Sequence, residues 1–308
     1  MLPPLSGANQ SYIDELTRMQ SQMETLQAQI TSGYQVQTPG DDPAAIGPIL
    51  DAKTRISQLT QNQTNLGQLQ TELQTGDGAL QQAIQLVESA SSLASQAATN
   101  MNSNSASQAS LLQQAQGILQ SLVNISATTA TGRYIFSGDL DQQALYTLDL
   151  TEPNGVQQLA TATSTRTVTD ANGAPLWTAR TATDIFDPSN PDGTPATGNV
   201  FAAVTSLITA LQNNDSAAAT ASVGSLQSAD DYLNQQLGYY GIGETRVTDT
   251  MNEQSTALVN EQQQLSGLQD TDVASAAVSL NQLNVEQQAA LTSRAQYNQM
   301  NNLFNYLA

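Results

Sequence analysis

The sequence predicts a mainly α protein: long antiparallel helical hairpins and a terminal coiled coil forming a rod, with one small β-rich insertion. Three observations predict it. Apolar residues recur at spacings of three and four along most of the chain, this period lapses between residues 139 and 198, and acidic helix-start signals occupy matched places near the two ends.

The first helix is written in Ile13, Leu16, Met19, Met23, Leu26 and Ile30, a stripe with coiled-coil character. Gly33 ends it. In GDDPAAIGPIL, Asp41 or Asp42 supplies an N-cap and Pro43 suits the first turn, where its missing N–H costs nothing. Pro48 lies inside the next helix and predicts a kink or a later start.

The stripe continues through Ile56, Leu59, Leu66, Leu69 and Leu73, with Gln63 at one core-type position and Gly76 and Gly78 as mild interruptions. It resumes at Leu80, Ile84, Val87, Ala94, Ala98 and Met101, with Leu93 beside it. After the polar run NMNSNSAS it returns at Leu111, Ala115, Ile118, Leu122 and Ile125, which makes a helical hairpin. At 1.5 Å per residue, a first arm of about 55 residues would be roughly 80 Å long, far beyond an ordinary globular helix.

Beyond GRYIFSGD the pattern changes. Residues 139–198 hold the alternation TRTVTD, Asn-Gly pairs at 154–155 and 172–173, the single Trp177 and half of the prolines, which together predict short hairpins. Helical period returns with Val200, Val204, Leu207, Ile208 and Leu211, then with Val223, Leu226, Leu233 and Leu237, before Gly238, Gly241 and Gly243 loosen the register. Val247, Met251, Gln254, Leu258, Glu261, Leu265 and Leu268 form the cleanest heptads. In QDTD, Asp270 and Asp272 mark a break with a fresh cap, and a last stripe runs through Leu280, Leu283, Gln287, Ala290, Arg294, Tyr297 and Phe304, apolar at its ends and polar in its middle.

This order predicts three regions: residues 1–40 with 270–308 as a terminal coiled-coil assembly domain, 41–138 with 199–269 as long helices, and 139–198 as an outer insertion.

Composition narrows the chemistry. The 308 residues carry 8 Lys and Arg against 27 Asp and Glu, a net charge of −19, with no His and no Cys. Imidazole bases, thiolate nucleophiles and the usual zinc or haem ligand sets are therefore ruled out. The acidity, with no basic cluster, also excludes nucleic acid and anionic membranes as partners. Leu, Ile, Val and Phe total 64, a thin supply of core, whereas 40 Gln make the polar surface largely uncharged. Such helices suit a protein that completes its core against neighbours. The opening MLPPLSGANQSYIDEL has neither the basic nor the apolar region of a secretory signal peptide, so export would need another route.

The residues resemble the bacterial flagellin family. ITSGYQVQTPGDDPAA is similar to that family's "SSG…DDPA" passage, ILDAKTRISQLTQNQTNLGQLQ and its continuation to the following long helices, and DTDVASAAVSLNQLNVEQQAALTSRAQYNQMNNLFNYLA to the closing helix. The resemblance covers about residues 6–140 and 199–308. GRYIFSGD and the ending NNLFNYL look more like the hook-filament junction branch than like filament flagellins, which usually end in a Leu-Leu-Arg-like tail. Where many flagellins carry an Arg-Glu pair, this chain has Ser91 and Ser92, which puts in doubt the immune recognition that depends on that Arg.

The resemblance implies an extracellular flagellar protein, exported through the type III channel and assembled into a helical tube. The implied partners are itself, hook-associated protein 1, flagellin and an export chaperone; no cofactor and no metal are implied. The assembly residues would be Ile13, Leu16, Met19, Met23, Leu26 and Ile30 with Leu280, Leu283, Tyr297, Phe304 and Leu307. Asp41, Asp42, Asp270 and Asp272 are read as helix caps rather than cation ligands.

Plainer readings compete at each position. The terminal stripes could be only an intramolecular core, although Gln287 and Arg294 interrupt the second in a way that suits several neighbours. DPSNPDG at 187–193 lacks a calcium loop's closing Glu and reads as a turn. Arg133 reads as solvated rather than paired with another subunit, and Trp177 as the insertion's own core. An enzyme would have to rely on a carboxylate pair such as Asp139 and Asp141. A filament flagellin and a non-flagellar coiled-coil scaffold are the remaining alternatives.

Overall fold

The computed structural model describes residues 5–100, 105–170 and 173–306, and the side chains of residues 10–99, 106–170 and 173–296. Helices α1 (Leu5–Ser32), α2 (Pro43–Asn100) and α3 (Ser105–Ser126) lead to strands β1 (Thr129–Ala130), β2 (Arg133–Tyr134), β3 (Tyr146–Leu148), β4 (Val156–Gln158), β5 (Thr167–Thr169) and β6 (Pro175–Thr178). Helices α4 (Ala182–Phe186), α5 (Val200–Asn213), α6 (Ser216–Gln269) and α7 (Val273–Tyr306) follow. The strands form three separate antiparallel pairs, β1–β2, β3–β4 and β5–β6. The fold is thus mainly α with a small β-rich insertion.

The chain divides into two compact units, one made of residues up to Leu59 and from Thr256 onward, the other of Thr60–Ser255.

In the second unit the periodic residues form one core. From α2 come Leu69, Leu73, Leu80 and Val87; from α3, Leu119 and Leu122; from α5, Val204, Leu207 and Leu211; from α6, Leu226, Leu233 and Val247. Ala83, Ala90, Ala94, Ala115, Ala219 and Ala229 are fully buried among them, small residues that let helix backbones approach closely. The start of α5 and its turn into α6 have local causes. Asn199 caps α5 by accepting from the Ala202 N–H, Asn214 ends it in the left-handed conformation, and the Asp215 carboxylate accepts from the N–H groups of Ala217 and Ala218 at the start of α6.

Three expectations change here. Helices α2 and α6 run unbroken through Gly76, Gly78, Gly238, Gly241 and Gly243. Gly76 and Gly243 make room for aromatic rings: a Cβ at Gly76 would lie 2.4 Å from Tyr240, and one at Gly243 would lie 2.5 Å from Trp177. Trp177 in turn packs on α6, its ring 4.5 Å from Tyr239 and 5.0 Å from Tyr240, so the insertion has no separate core. Phe136 continues the same cluster against Phe186 and Tyr240. As for Pro48, α2 already begins at Pro43, which rules out the later start.

The insertion is held at polar corners. Asp187 accepts from the Tyr146 hydroxyl and from the side-chain amides of Asn154 and Asn199, joining β3, the following loop and the start of α5. Burial pushes the Tyr146 hydroxyl far above its ordinary pKa. The Asn-Gly pair at 154–155 closes a loop longer than a two-residue turn, running from Asp149 to Gly155.

Candidate assembly site

The first unit is built from helices α1 and α7, which pack against each other, and from the adjoining ends of α2 and α6. Gly33, with φ +77°, closes α1 as its N–H bonds the Gln29 carbonyl at 2.8 Å, a left-handed stop that glycine makes without strain. The two breaks in helix then bond to each other. Gln35 N–H donates to the Gln269 carbonyl at 2.7 Å, Thr271 N–H donates to the Gly33 carbonyl at 2.9 Å, and Tyr34 pairs with Asp270 in a short antiparallel bridge. Val36 is buried beside this strap.

Of the four acidic residues expected to cap helices, two do so. Asp42 accepts from the N–H groups of Ala44 and Ala45 at the start of α2, and Asp272 accepts from those of Ala274 and Ser275 at the start of α7. Asp41 instead turns back and accepts from the N–H groups of Gln37 and Thr38, folding the linker; the Thr38 and Gln37 amides hold its pKa below the ordinary value. Asp270 accepts from the Ser266 hydroxyl at the end of α6. One member of each pair thus has its carboxylate held outside a helix start, so Asp41 and Asp270 are corrected from caps to linker and end-of-helix acceptors.

The expected assembly residues fall on both sides of solvent exposure. Met19 is buried, Leu16, Met23, Leu26, Ile30, Leu280 and Leu283 are half-buried, and Ile13 is 54% exposed. The side chains of Tyr297 and Phe304, and the whole of Leu307, lie outside the described residues. Two residues in the middle of the α7 stripe, Ala290 and Arg294, meet Tyr12 of α1. Arg294 lies over the Tyr12 ring at 5.3 Å, and the Tyr12 hydroxyl donates to the Ala290 carbonyl at 3.2 Å. On the adjoining helix ends, Arg55 of α2 pairs with Glu261 of α6 at 3.2 Å.

Helix α7 also has a second apolar face. Val278 and Val285 are each 66% exposed and lie seven residues apart, two turns along one side of the helix. The more buried Ala276, Leu280 and Leu283 lie on the other side. This face was missed in the heptad reading, although the Val-x6-Val spacing carries the signal.

The remaining candidates have structural roles. Asp139 accepts from the Thr163 N–H and hydroxyl, the latter at 2.6 Å, and these bonds, led by the Thr163 hydroxyl, lower its pKa. Asp141 pairs with Arg133 at 3.5 Å, so Arg133 is paired within the chain. In DPSNPDG, Asp192 accepts from the Thr194 N–H and hydroxyl, a local turn. Among the described residues no group of three or more Asp, Glu, His or Cys side chains is placed to hold a metal, and no helix is long and apolar enough to cross a membrane.

Residues 7–141 match the model of the bacterial flagellin N-terminal helical region, and residues 223–307 match that of the C-terminal helical region. The chain belongs to the bacterial flagellin family. It is accordingly a structural protein of the bacterial flagellum. No curated protein sequence matches this flagellin-family chain. Its fold is similar to a solved structure described as a flagellar hook-associated protein of Vibrio parahaemolyticus, at 18% identity and TM-score 0.63, covering 75% of this chain and 100% of that one. It is also similar to hook-associated protein 3 of Legionella pneumophila, at 15% identity and TM-score 0.51, covering 77% of this chain and 99% of that one.

Proposed function

We propose that this flagellin-family chain is a non-enzymatic subunit of the hook-filament junction, exported through the flagellar type III channel and assembled through its terminal helices. Residues 1–40 and 270–308 are the assembly region, 41–138 and 199–269 its long-helix support, and 139–198 the outward-facing part. The partners are further copies and homologous axial proteins, with an export chaperone holding the chain beforehand.

The observation that carries this reading is the pair of apolar faces on α7. One is occupied by α1, whereas the other presents Val278 and Val285 to water. Burying those two side chains against a neighbour would contribute about 1.5–3 kcal/mol each, a gain that only association can supply. Sparse charge and abundant Gln favour the same event, since few ions need to be desolvated when helix faces meet. The signatures GRYIFSGD and NNLFNYL favour the junction over the filament.

Two measurements test it. In limited proteolysis of the monomer, cleavage confined to about 40 residues at each end, with loss of assembly afterward, is expected; ends as resistant as the middle would count against the reading. In sheared flagella, a trace band that stays with hooks is expected, while a major band along the filament would identify a filament flagellin instead.

A further inference from the structure

We propose that neighbouring copies are joined by a second contact, in which the β3–β4 loop of one copy enters a cavity beside Trp177 of the next. This rests on the self-assembling role proposed above and adds a surface to it.

The cavity measures about 320 Å³ and lies between β6 and α6, lined by Pro175, Trp177, Tyr239, Ile242, Gly243 and Arg246 among others. Its floor is aromatic, formed by the Trp177 and Tyr239 rings, which meet at a 34° tilt. Its rim is apolar and basic. Ile242 is 57% exposed, which is unusual for a large apolar side chain beside an aromatic floor. Arg246 is exposed, and among the described residues no carboxylate pairs with it, whereas Arg18, Arg55, Arg133 and Arg166 are all in ion pairs. In a chain of net charge −19, a free cation on an apolar rim marks a place where a copy of the same acidic chain is attracted rather than repelled.

The same unit carries the complementary shape. The β3–β4 loop, Asp149 to Gly155, projects Leu150, which is 42% exposed, with the exposed Thr151, Glu152 and Pro153 beside it. The loop is stiff. The Asp149 carboxylate accepts from the Thr151 N–H and hydroxyl, and a Cβ on Gly155 at its base would lie 2.5 Å from Thr205 and 2.8 Å from Leu119. A rigid apolar knob with an acidic neighbour fits an apolar cavity with a basic rim at low entropic cost. Leu150 covers the Trp177 floor, and Glu152 meets Arg246. Because knob and cavity are different patches, the contact is head-to-tail and repeats from copy to copy, as a ring or helical layer requires.

The absence of Cys from the chain makes the test direct. Leu150→Cys and Ile242→Cys are introduced together, flagella are purified from cells making this variant, and mild oxidation is followed by non-reducing electrophoresis. A ladder of disulfide-linked multimers is expected from the double variant and not from either single one. Chain present in flagella but only as monomers, or a linked band containing a different axial protein, overturns the contact while leaving the junction role intact. Wild-type chain missing from flagella instead overturns the role itself. Should the double-cysteine variant fail to enter flagella, Arg246→Glu and Glu152→Arg decide. Each alone is expected to lower the amount of chain in flagella at least several-fold, and the pair together to restore it; no loss from the single variants, or no restoration, overturns the contact.

Discussion

Gly243 lies directly against the indole of Trp177: a Cβ there would sit 2.5 Å from Cε3 and 2.6 Å from Cζ3. Two residues 66 positions apart in sequence are thereby locked together, the helix narrowed where the ring crosses it.

Helix propensity and packing therefore oppose each other at this position. Alanine gains about 1 kcal/mol over glycine in an open helix, but forcing a methyl group into a filled site costs roughly 1–3 kcal/mol. Gly243→Ala is expected to lower the melting temperature, and Gly76→Ala likewise, since its Cβ would meet Tyr240 at 2.4 Å. Gly238→Ala, with open space at its Cβ, is expected to raise it. Thermal unfolding followed by circular dichroism separates the three; a rise for all of them would mean that the rings have room to withdraw.

The caps differ in the same testable way. Asp42→Ala and Asp272→Ala each remove a carboxylate that accepts from two helical N–H groups, and each should cost about 1 kcal/mol. Hydrogen exchange should quicken in the first turns of α2 and α7 respectively. Asp41→Ala should leave the first turn of α2 protected and instead loosen residues 37 and 38, whose N–H groups it holds.

Acidic residues meet across α2 and α6. Burial raises the pKa of Asp230, and the nearby charges of Glu88 and Asp231 raise it further; burial and the charge of Asp77 do the same to Glu244. A carboxylate whose pKa is raised by folding contributes stability that is fully present below its unfolded pKa and is lost as pH rises through the folded value. Asp230→Asn and Glu244→Gln are accordingly expected to stabilise the chain at pH 7 and to gain little at pH 3 to 4. Asp41, Asp139, Asp149 and Asp192 have lowered pKa values and act in the opposite sense, so the difference between variant and wild type is the quantity to follow. Equal gains at both pH values would refute the electrostatic cause.

Gln236 presents a further cost. The residue is only 6% exposed, and among the described residues its Oε1 meets no donor. An unsatisfied buried acceptor costs about 1–3 kcal/mol, so Gln236→Leu should raise the urea midpoint with the denaturant slope unchanged. A lower midpoint would show that the amide makes up its cost elsewhere.

Much of the fold was legible in the residues themselves. The period of Leu69, Leu73, Leu80 and Val87 writes a helix that buries one side, and the Asp-Asp-Pro of 41–43 writes its start. Asp42 and Asp41 show where such reading runs out. Both are suitable caps by composition, and only the path of the linker decided that one accepts from the helix ahead and the other from the residues behind. By local pattern Gly76 only interrupts a stripe and Gly243 only loosens a register; the rings that need the space come from elsewhere in the chain.

By itself the sequence determined the helical character, the β-rich interruption, the acidic, Gln-rich surface and the family, because these depend on local period, composition and short motifs. Only the tertiary structure decided that the two breaks bond to each other, that Trp177 belongs to the helical core, and that α7 has one covered and one uncovered apolar face. Each of these depends on which distant segment arrives at a given side chain, and a one-dimensional pattern of hydrophobicity does not encode that meeting.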